Sequence, residues 1–234
     1  LFYDYIPRSI DQLKENQYNI LFIQEPNQLF GMHDWVASNS NHKHFDAIFT
    51  WSEKILSIAD NSVYFGFGAG DYEMLNDVWS DKKFQTSFMC GQKNMIEGHH
   101  LRHSIFNNKE NIKTPINFFY SGEKRPCWNS MYHIAVENSQ NTGYFTEKII
   151  DCFLTKTIPI YWGCTDIEKF FNKDGIILFN SLDDLTNIVN NLNEDFYHSK
   201  MEVLEYNKKL ALDYADFVGR INLIIKEFCI INNI

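Results

Sequence analysis

Glu137-Asn138-Ser139-Gln140-Asn141-Thr142-Gly143-Tyr144-Phe145-Thr146-Glu147-Lys148, followed by an apolar helical pattern and then Ile158-Pro159-Ile160-Tyr161-Trp162-Gly163, is the stretch on which the fold turns. Val136 and the apolar residues before it read as a buried strand ending at Glu137, and Asn-Ser-Gln-Asn-Thr-Gly behind it has turn chemistry. Thr146 is placed to cap a helix, because its hydroxyl can accept from the unpaired amides of a first turn. Ile149, Ile150, Phe153 and Leu154 then follow with the i, i+1, i+4, i+5 spacing of a half-buried helix. Strand, polar loop, capped helix and strand in succession predict an α/β protein with a parallel sheet.

That arrangement carries its own chemistry. The open amides and dipole at a helix N-terminus attract an anion, and Lys148 adds a full positive charge beside them. Glu147 is a poor phosphate partner, but a carboxylate can accept from two neighbouring hydroxyls, which is what a ribose offers. The pair suits a nucleoside diphosphate better than a bare phosphate. Taken alone, a first-turn acid and lysine also fit an ordinary surface helix.

Outward from this stretch the chain alternates strands and helices. The first part predicts a helix around Ser9 to Glu15, a strand from Tyr18 to Gln24 delivering Glu25, and a loop rich in Asn, Ser and His from Asn27 to Lys43. A strand at Phe45 to Trp51, a helix from Ser52 and a strand near Val63 to Phe67 follow. Residues near Val78 to Lys83 are polar and charged, a crossing point between units. Beyond it come strands at Gln85 to Cys90, Ile116 to Tyr120, Tyr132 to Val136, Ile158 to Trp162 and Ile176 to Phe179. Helical periodicity runs over Leu182 to Leu192 and from Tyr197 to about Asn232. The expected division is a small Rossmann-like unit over 1–82 and a second unit with C-terminal helices over 83–234.

The segment from Tyr132 to Phe179 reads Tyr-His-Ile-Ala-Val-Glu-Asn-Ser, then Gly-Tyr-Phe-Thr-Glu-Lys-Ile-Ile-Asp-Cys-Phe, then Thr-Ile-Pro-Ile-Tyr-Trp-Gly. It resembles the donor-binding motif of the α1,3/4-fucosyltransferases, a glycosyltransferase family 10-like pattern. The resemblance implies a GT-B-like α/β fold, two Rossmann-like domains facing a cleft with the N-terminal one small. It also implies inverting transfer of fucose from GDP-fucose to a hydroxyl of a glycan acceptor, in an α1,3-type linkage. Residue by residue it makes Asn138 a pyrophosphate or fucose contact, Glu147 the ribose-binding carboxylate and Lys148 a diphosphate contact. An arginine of the family pairs with the diphosphate at about the place of Arg102, whose fork geometry suits two phosphate oxygens.

A general base is expected from the N-terminal half, at the carboxyl end of a strand. Glu25, immediately before Pro26, is the candidate, and Gln-Glu-Pro-Asn resembles the family's Glu-Ser-Pro-type site, without the residue between Glu and Pro. Asp34, Asp46 and Glu53 compete with it. His133 stands where family members often carry Tyr or Phe. Two other readings remain for the whole chain: a GT-B transferase using another GDP-sugar, and a nucleotide- or carbohydrate-binding module without turnover.

The 234 residues are long enough for one large domain or two small ones, and a 44% hydrophobic share with 20 Phe and 12 Tyr can fill a core. A net charge of −9 speaks against a general nucleic-acid binder, so any phosphate pocket is a local positive patch. The expected partners are a nucleotide-sugar donor and a glycan acceptor, with no obligatory cofactor; a divalent ion is compatible but no ligand set calls for one. Five cysteines without CxxC spacing read as reduced, and the absence of a sequon or membrane-length apolar run agrees with a cytoplasmic chain. The sequence starts at Leu1 rather than a methionine, which leaves an anchor or signal before it open.

Lesser motifs are read more plainly. Gly66-Phe67-Gly68-Ala69-Gly70 lacks the third Gly of a dinucleotide fingerprint and has Asp71 behind it, so it reads as a turn near the cleft. His99, His100 and His103 lack a third ligand partner and read as helix histidines. Asp183-Asp184 sits at a helix start. Lys124-Arg125-Pro126-Cys127-Trp128 is either a loop near the guanine or phosphates or a solvated one.

Overall fold

Two parallel sheets frame the protein, seen here in a computed structural model that describes residues 2–3, 13, 17–68, 70, 81–120 and 124–231. The first holds β1 (Phe2–Tyr3), β2 (Ile20–Ile23), β3 (Ala47–Thr50) and β4 (Ser62–Tyr64) in that spatial order. The second holds β5 (Lys83–Cys90), β6 (Ile116–Tyr120), β7 (Ser130–Val136), β8 (Ile158–Trp162) and β9 (Ile177–Leu178), in the order β6-β5-β7-β8-β9. The chain runs from β5 to one side and then returns to place β7 on the other. This makes the carboxyl ends of β5 and β7 the topological switch point, where ligands of open α/β sheets bind.

The apolar run Ile20-Leu21-Phe22-Ile23 is buried along its whole length because both faces of the first sheet are covered. Leu21 and Ile23 point one way, onto Met32, Val36, Ile55 and Ala59 of the segments between the strands. Ile20 and Phe22 point the other way, with Ala47, Phe49 and Phe65. That second face is closed by α9 (Phe217–Ile231), the last helix of the chain, through Phe217, Ile221, Ile224, Ile225 and Phe228. Arg220 on α9 donates to the carbonyls of Gly66 and Gly68, both at 2.9 Å, and lies over the Phe65 ring at 4.4 Å.

Several expectations change on inspection. The polar stretch from Asn27 to Lys43 is not a plain loop: it forms α1 (Asn27–Phe30), α2 (Met32–Ala37) and a short 3-10 turn, Asn41–His44, while the helix expected from Ser52 is α3 (Glu53–Leu56). Gly31, at φ +64, turns the chain between the two helices, and Met32, His33 and Val36 fall on one buried face of α2. The helical tail from Tyr197 divides into α7 (Glu194–Ser199), α8 (Met201–Ala215) and α9, preceded by α6 (Leu182–Asn190). Ser181 and Asn193 cap α6 and α7 by accepting from the amides of Asp184 and Phe196, which places Asp183-Asp184 in a helix's first turn as expected. A helix at Ser9 to Glu15 and the crossing at Val78 to Lys83 fall mainly outside the described residues. Among the described residues no helix is long and apolar enough to cross a membrane.

If α9 covers the first sheet as the contacts require, truncation after Asp216 exposes Ile20, Phe22, Ala47 and Phe49. Hydrogen exchange should then accelerate in β2 and β3 while β7 and β8 keep their protection. Unchanged protection in β2 would show that α9 contributes nothing to the first sheet.

Candidate active site

The site is built around the residue where β7 ends. Glu137 continues the ladder by donating its amide to the Trp162 carbonyl at 2.9 Å, and its carboxylate is fully cut off from water. That carboxylate accepts from the Thr146 amide at 2.9 Å and the Thr146 hydroxyl at 2.7 Å, both at the start of α5 (Glu147–Leu154). The same hydroxyl accepts from Lys148, at 3.4 Å from its amide and 3.0 Å from Nζ, using the two lone pairs left to it. Lys148 Nζ lies 3.5 Å from Glu137, and the Tyr161 hydroxyl 3.4 Å. Burial pushes the Glu137 carboxyl above its usual range, with Lys148 pulling against it.

Two glycines make this packing feasible. A Cβ on Gly163 would lie 2.4 Å from Cγ of Glu137, and one on Gly98 would lie 1.9 Å from the Glu137 carbonyl oxygen. Gly98 belongs to α4 (Glu97–Asn107) and donates its amide to the Asn138 carbonyl at 3.0 Å, so the helix rests directly on the strand end. Arg102 follows one turn later and reaches the Val136 carbonyl at 2.6 Å and Asn138 Oδ1 at 3.0 Å. Asn138 in turn donates Nδ2 to Glu25 Oε2 at 3.1 Å. Glu25 stands just beyond β2, and its carbonyl meets the His33 ring nitrogen at 3.0 Å.

Glu25, Arg102, Asn138, Glu147 and Lys148 therefore line one cavity of about 450 Å³, in the size range of small-molecule sites. Glu147 Oε1 receives Lys148 Nζ at 3.2 Å and Lys124 Nζ at 3.3 Å; Lys124 also lies 3.7 Å from Asp151 Oδ2. Burial alone would raise the Glu147 carboxyl, but the two lysines outweigh it and hold it well below the usual carboxylate range. Lys148 is displaced upward: burial opposes its charge, and Glu147 and Glu137 overcome that. Burial lowers Arg102, with Glu137 opposing, yet a guanidinium stays protonated. The cavity thus offers three fixed cations among fixed carboxylates.

The alternative bases lie elsewhere. Asp34 is tied to Lys54 at 2.5 Å and to Asn27 at 2.7 Å, and Asp46 accepts from the Asn19 amide at 2.6 Å. Asp34 and Glu53 line a second, polar cavity of about 260 Å³ on the first sheet's side. His99 accepts from the Met95 amide at 3.2 Å and is held near pKa 4, chiefly by burial. Among the described residues no three His, Cys, Asp or Glu side chains converge on a metal position. His133 is turned inward, 2.8 Å from the Ser87 hydroxyl and 4.9 Å from the Trp128 ring, and burial holds it neutral at about pKa 3.

Glu137 and Asp151 carry no local signal in the sequence, and a basic loop residue such as Lys124 fits a solvated position as well as a functional one. An acid closing an apolar run ahead of a turn looks solvated, and only the return of Thr146 onto it shows otherwise. α5 is also more deeply set than its spacing predicts: Ile149 through Leu154 are all buried, Asp151 and Cys152 included.

The opposed shifts generate a measurable difference. A carboxyl whose folded pKa lies below its ordinary 4.5 contributes stability above that value and loses it as pH falls below. Glu147→Gln should therefore lose stability less steeply than the unmodified chain as pH is lowered past 4.5 in urea melts. Glu137, displaced upward chiefly by burial, acts in the opposite sense, and removing the Glu147 charge that adds to its displacement offsets part of that difference. Identical acid limbs would show that the lysines do not hold Glu147 ionised.

Residues 119–221 match the family model described as glycosyltransferase family 10 (fucosyltransferase) C-term. The Helicobacter pylori protein alpha-(1,3)-fucosyltransferase FucT is 46% identical over 46 residues, which cover 20% of this chain and 10% of that protein. The match therefore spans only a tenth of that relative's length. A crystal structure of an α1,3-fucosyltransferase superposes with a TM-score of 0.59 at 17% identity, covering 88% of this chain and 69% of the other. A second, of an α1,3-fucosyltransferase with GDP-fucose, superposes with a TM-score of 0.51 at 16% identity, over 83% and 71%. At such identities the likeness shows the GT-B fold. On that fold, residues 119–221 of this chain are similar to the C-terminal domain of the family 10 glycosyltransferases.

Proposed function

We propose that this chain transfers fucose from GDP-fucose to a hydroxyl of a glycan acceptor, in an α1,3-type linkage, with inversion at the anomeric carbon. The observation that carries the reading is the relay from Glu25 through Asn138 to Arg102, with links of 3.1 and 3.0 Å. It sets a carboxylate delivered by the first sheet against a cation fixed on the second, inside one cavity. Further support comes from the family 10 match, which includes Asn138, Glu147 and Lys148, and from the solved α1,3-fucosyltransferases described with GDP and with GDP-fucose. The division into an acceptor-side unit over 1–82 and a donor-side unit over 83–234 belongs to this reading.

In the displacement, the acceptor oxygen forms its bond to the anomeric carbon as the bond to the diphosphate oxygen breaks. The acceptor proton passes to the Glu25 carboxylate, and GDP departs with the bonding pair. Charge gathering on the diphosphate is met by Lys148, Arg102 and the first-turn amides of α5. Fixed donors of this kind act without reorganising, which makes electrostatic stabilisation the largest expected term. Glu147 accepts from the ribose hydroxyls; to do so it exchanges part of its contact with Lys124.

Two measurements test the reading. Glu25→Gln should lower kcat for transfer by about 10²–10⁴ while leaving GDP affinity in place, and a fully active variant would remove Glu25 from the role of base. In thermal melts, GDP at a hundred times its Kd should stabilise the fold by about 2.7 kcal/mol. A shift with UDP and none with GDP would sink the donor assignment.

A further inference from the structure

A carboxylate that accepts the proton of an acceptor hydroxyl accepts one from water equally well. In hydrolysis a water oxygen bonds to the anomeric carbon as the bond to the diphosphate oxygen breaks, GDP leaves with the pair, and the water proton passes to Glu25. A transferase therefore keeps water from the reacting carbon by exclusion, since its base does not discriminate. Among the described residues, the chain before β5 lends the cavity two side chains, Glu25 and Phe67. One takes a proton, and the other is an apolar ring.

We infer that Phe67 excludes water from the reaction centre beside Glu25, and that Arg220 is the positioning residue that holds it there. The inference rests on the transfer reading above. Glu25 follows the carboxyl end of β2 and Phe67 that of β4, in one sheet. With β3 between them, the two strands stand two spacings apart, about 9–10 Å, which leaves room for a sugar ring between carboxylate and phenyl. The backbone on each side of Phe67 is gripped. Arg220 donates through its two terminal nitrogens to the Gly66 and Gly68 carbonyls, each at 2.9 Å, and a planar fork of this kind fixes direction as well as distance. The guanidinium is seated on the Phe65 ring at 4.4 Å and the Tyr214 ring at 5.0 Å. A Cβ on Gly68 would stand 3.0 Å from Phe145 and from Tyr214, so the loop is pressed against α8 and the segment leading into α5. The Phe67 ring packs edge-on to Phe217, centroids 6.1 Å apart. A bound water needs roughly two to four polar partners, and a ring held in this way offers none on its side of the cavity.

The experiment follows GDP release from GDP-fucose by the whole chain with no acceptor present, alongside calorimetric titration with GDP. Phe67→Ala should raise hydrolysis by about tenfold and leave GDP affinity in place, because exclusion acts at the reacting carbon and not at the diphosphate. A gain in rate cannot come from misfolding. Phe67→Leu, which keeps much of the apolar bulk, should give a smaller rise. Arg220→Lys keeps the charge without the fork and should raise hydrolysis in the same direction. Adding Glu25→Gln to Phe67→Ala should abolish the gain, since the water proton then lacks its acceptor. Hydrolysis no faster than that of the unmodified chain in both Phe67→Ala and Phe67→Leu would overturn the inference and leave the donor reading standing. No GDP binding by the unmodified chain would overturn both.

Discussion

The cavity beside the second sheet depends on one carboxylate placed where water cannot reach it. Glu137 is ionic chemistry in an apolar setting, and a buried charge is tolerated only when its partners are fixed around it. Thr146 supplies two of them and Lys148 a third. In holding the carboxylate they are themselves held: the first turn of α5 is pinned to the end of β7, and the lysine ammonium is aimed into the cavity. The Tyr161 hydroxyl brings β8 to the same point. Removing the acid would release a strand end, a helix start and a cation together.

Close backbone approach extends that constraint. Gly98 lets α4 sit on the Glu137 and Asn138 carbonyls, and this sets the distance at which Arg102 reaches Val136 and Asn138. From Asn138 the network crosses to Glu25 and the first sheet. The opposite side of that sheet is closed by α9, whose Arg220 grips the loop that presents Phe67 to the cavity. The two halves therefore meet twice, through a polar relay at the site and through an apolar helix behind it.

Much of this was legible in the residues because it rests on local chemistry. Turn composition, the Thr146 cap, the apolar periodicity and the strands of the second sheet follow from groups close in sequence. The stretch from Asn27 to Lys43 was not, since its polar side chains hide three inward positions, Met32, His33 and Val36, that a core recruits into a helix. Lys124 was ambiguous for a related reason. A basic loop residue is solvated or functional according to what lies across from it, and Glu147 and Asp151 lie 23 and 27 positions away.

The amino-acid order by itself determined the α/β class, the strand-loop-helix that presents Glu147 and Lys148, and the identity of five polar residues that line the cavity. Their convergence was decided by tertiary structure alone. Glu25 and Asn138 are 113 positions apart, and no periodicity or local propensity carries across such a distance. Burial likewise exists only in the folded chain: whether Glu137 is solvated or sealed, and whether Asp151 lines a surface or a recess, depends on which elements pack above it. The charge states of the site follow from that packing, because desolvation and neighbouring charges set them and the residue type only supplies the starting point.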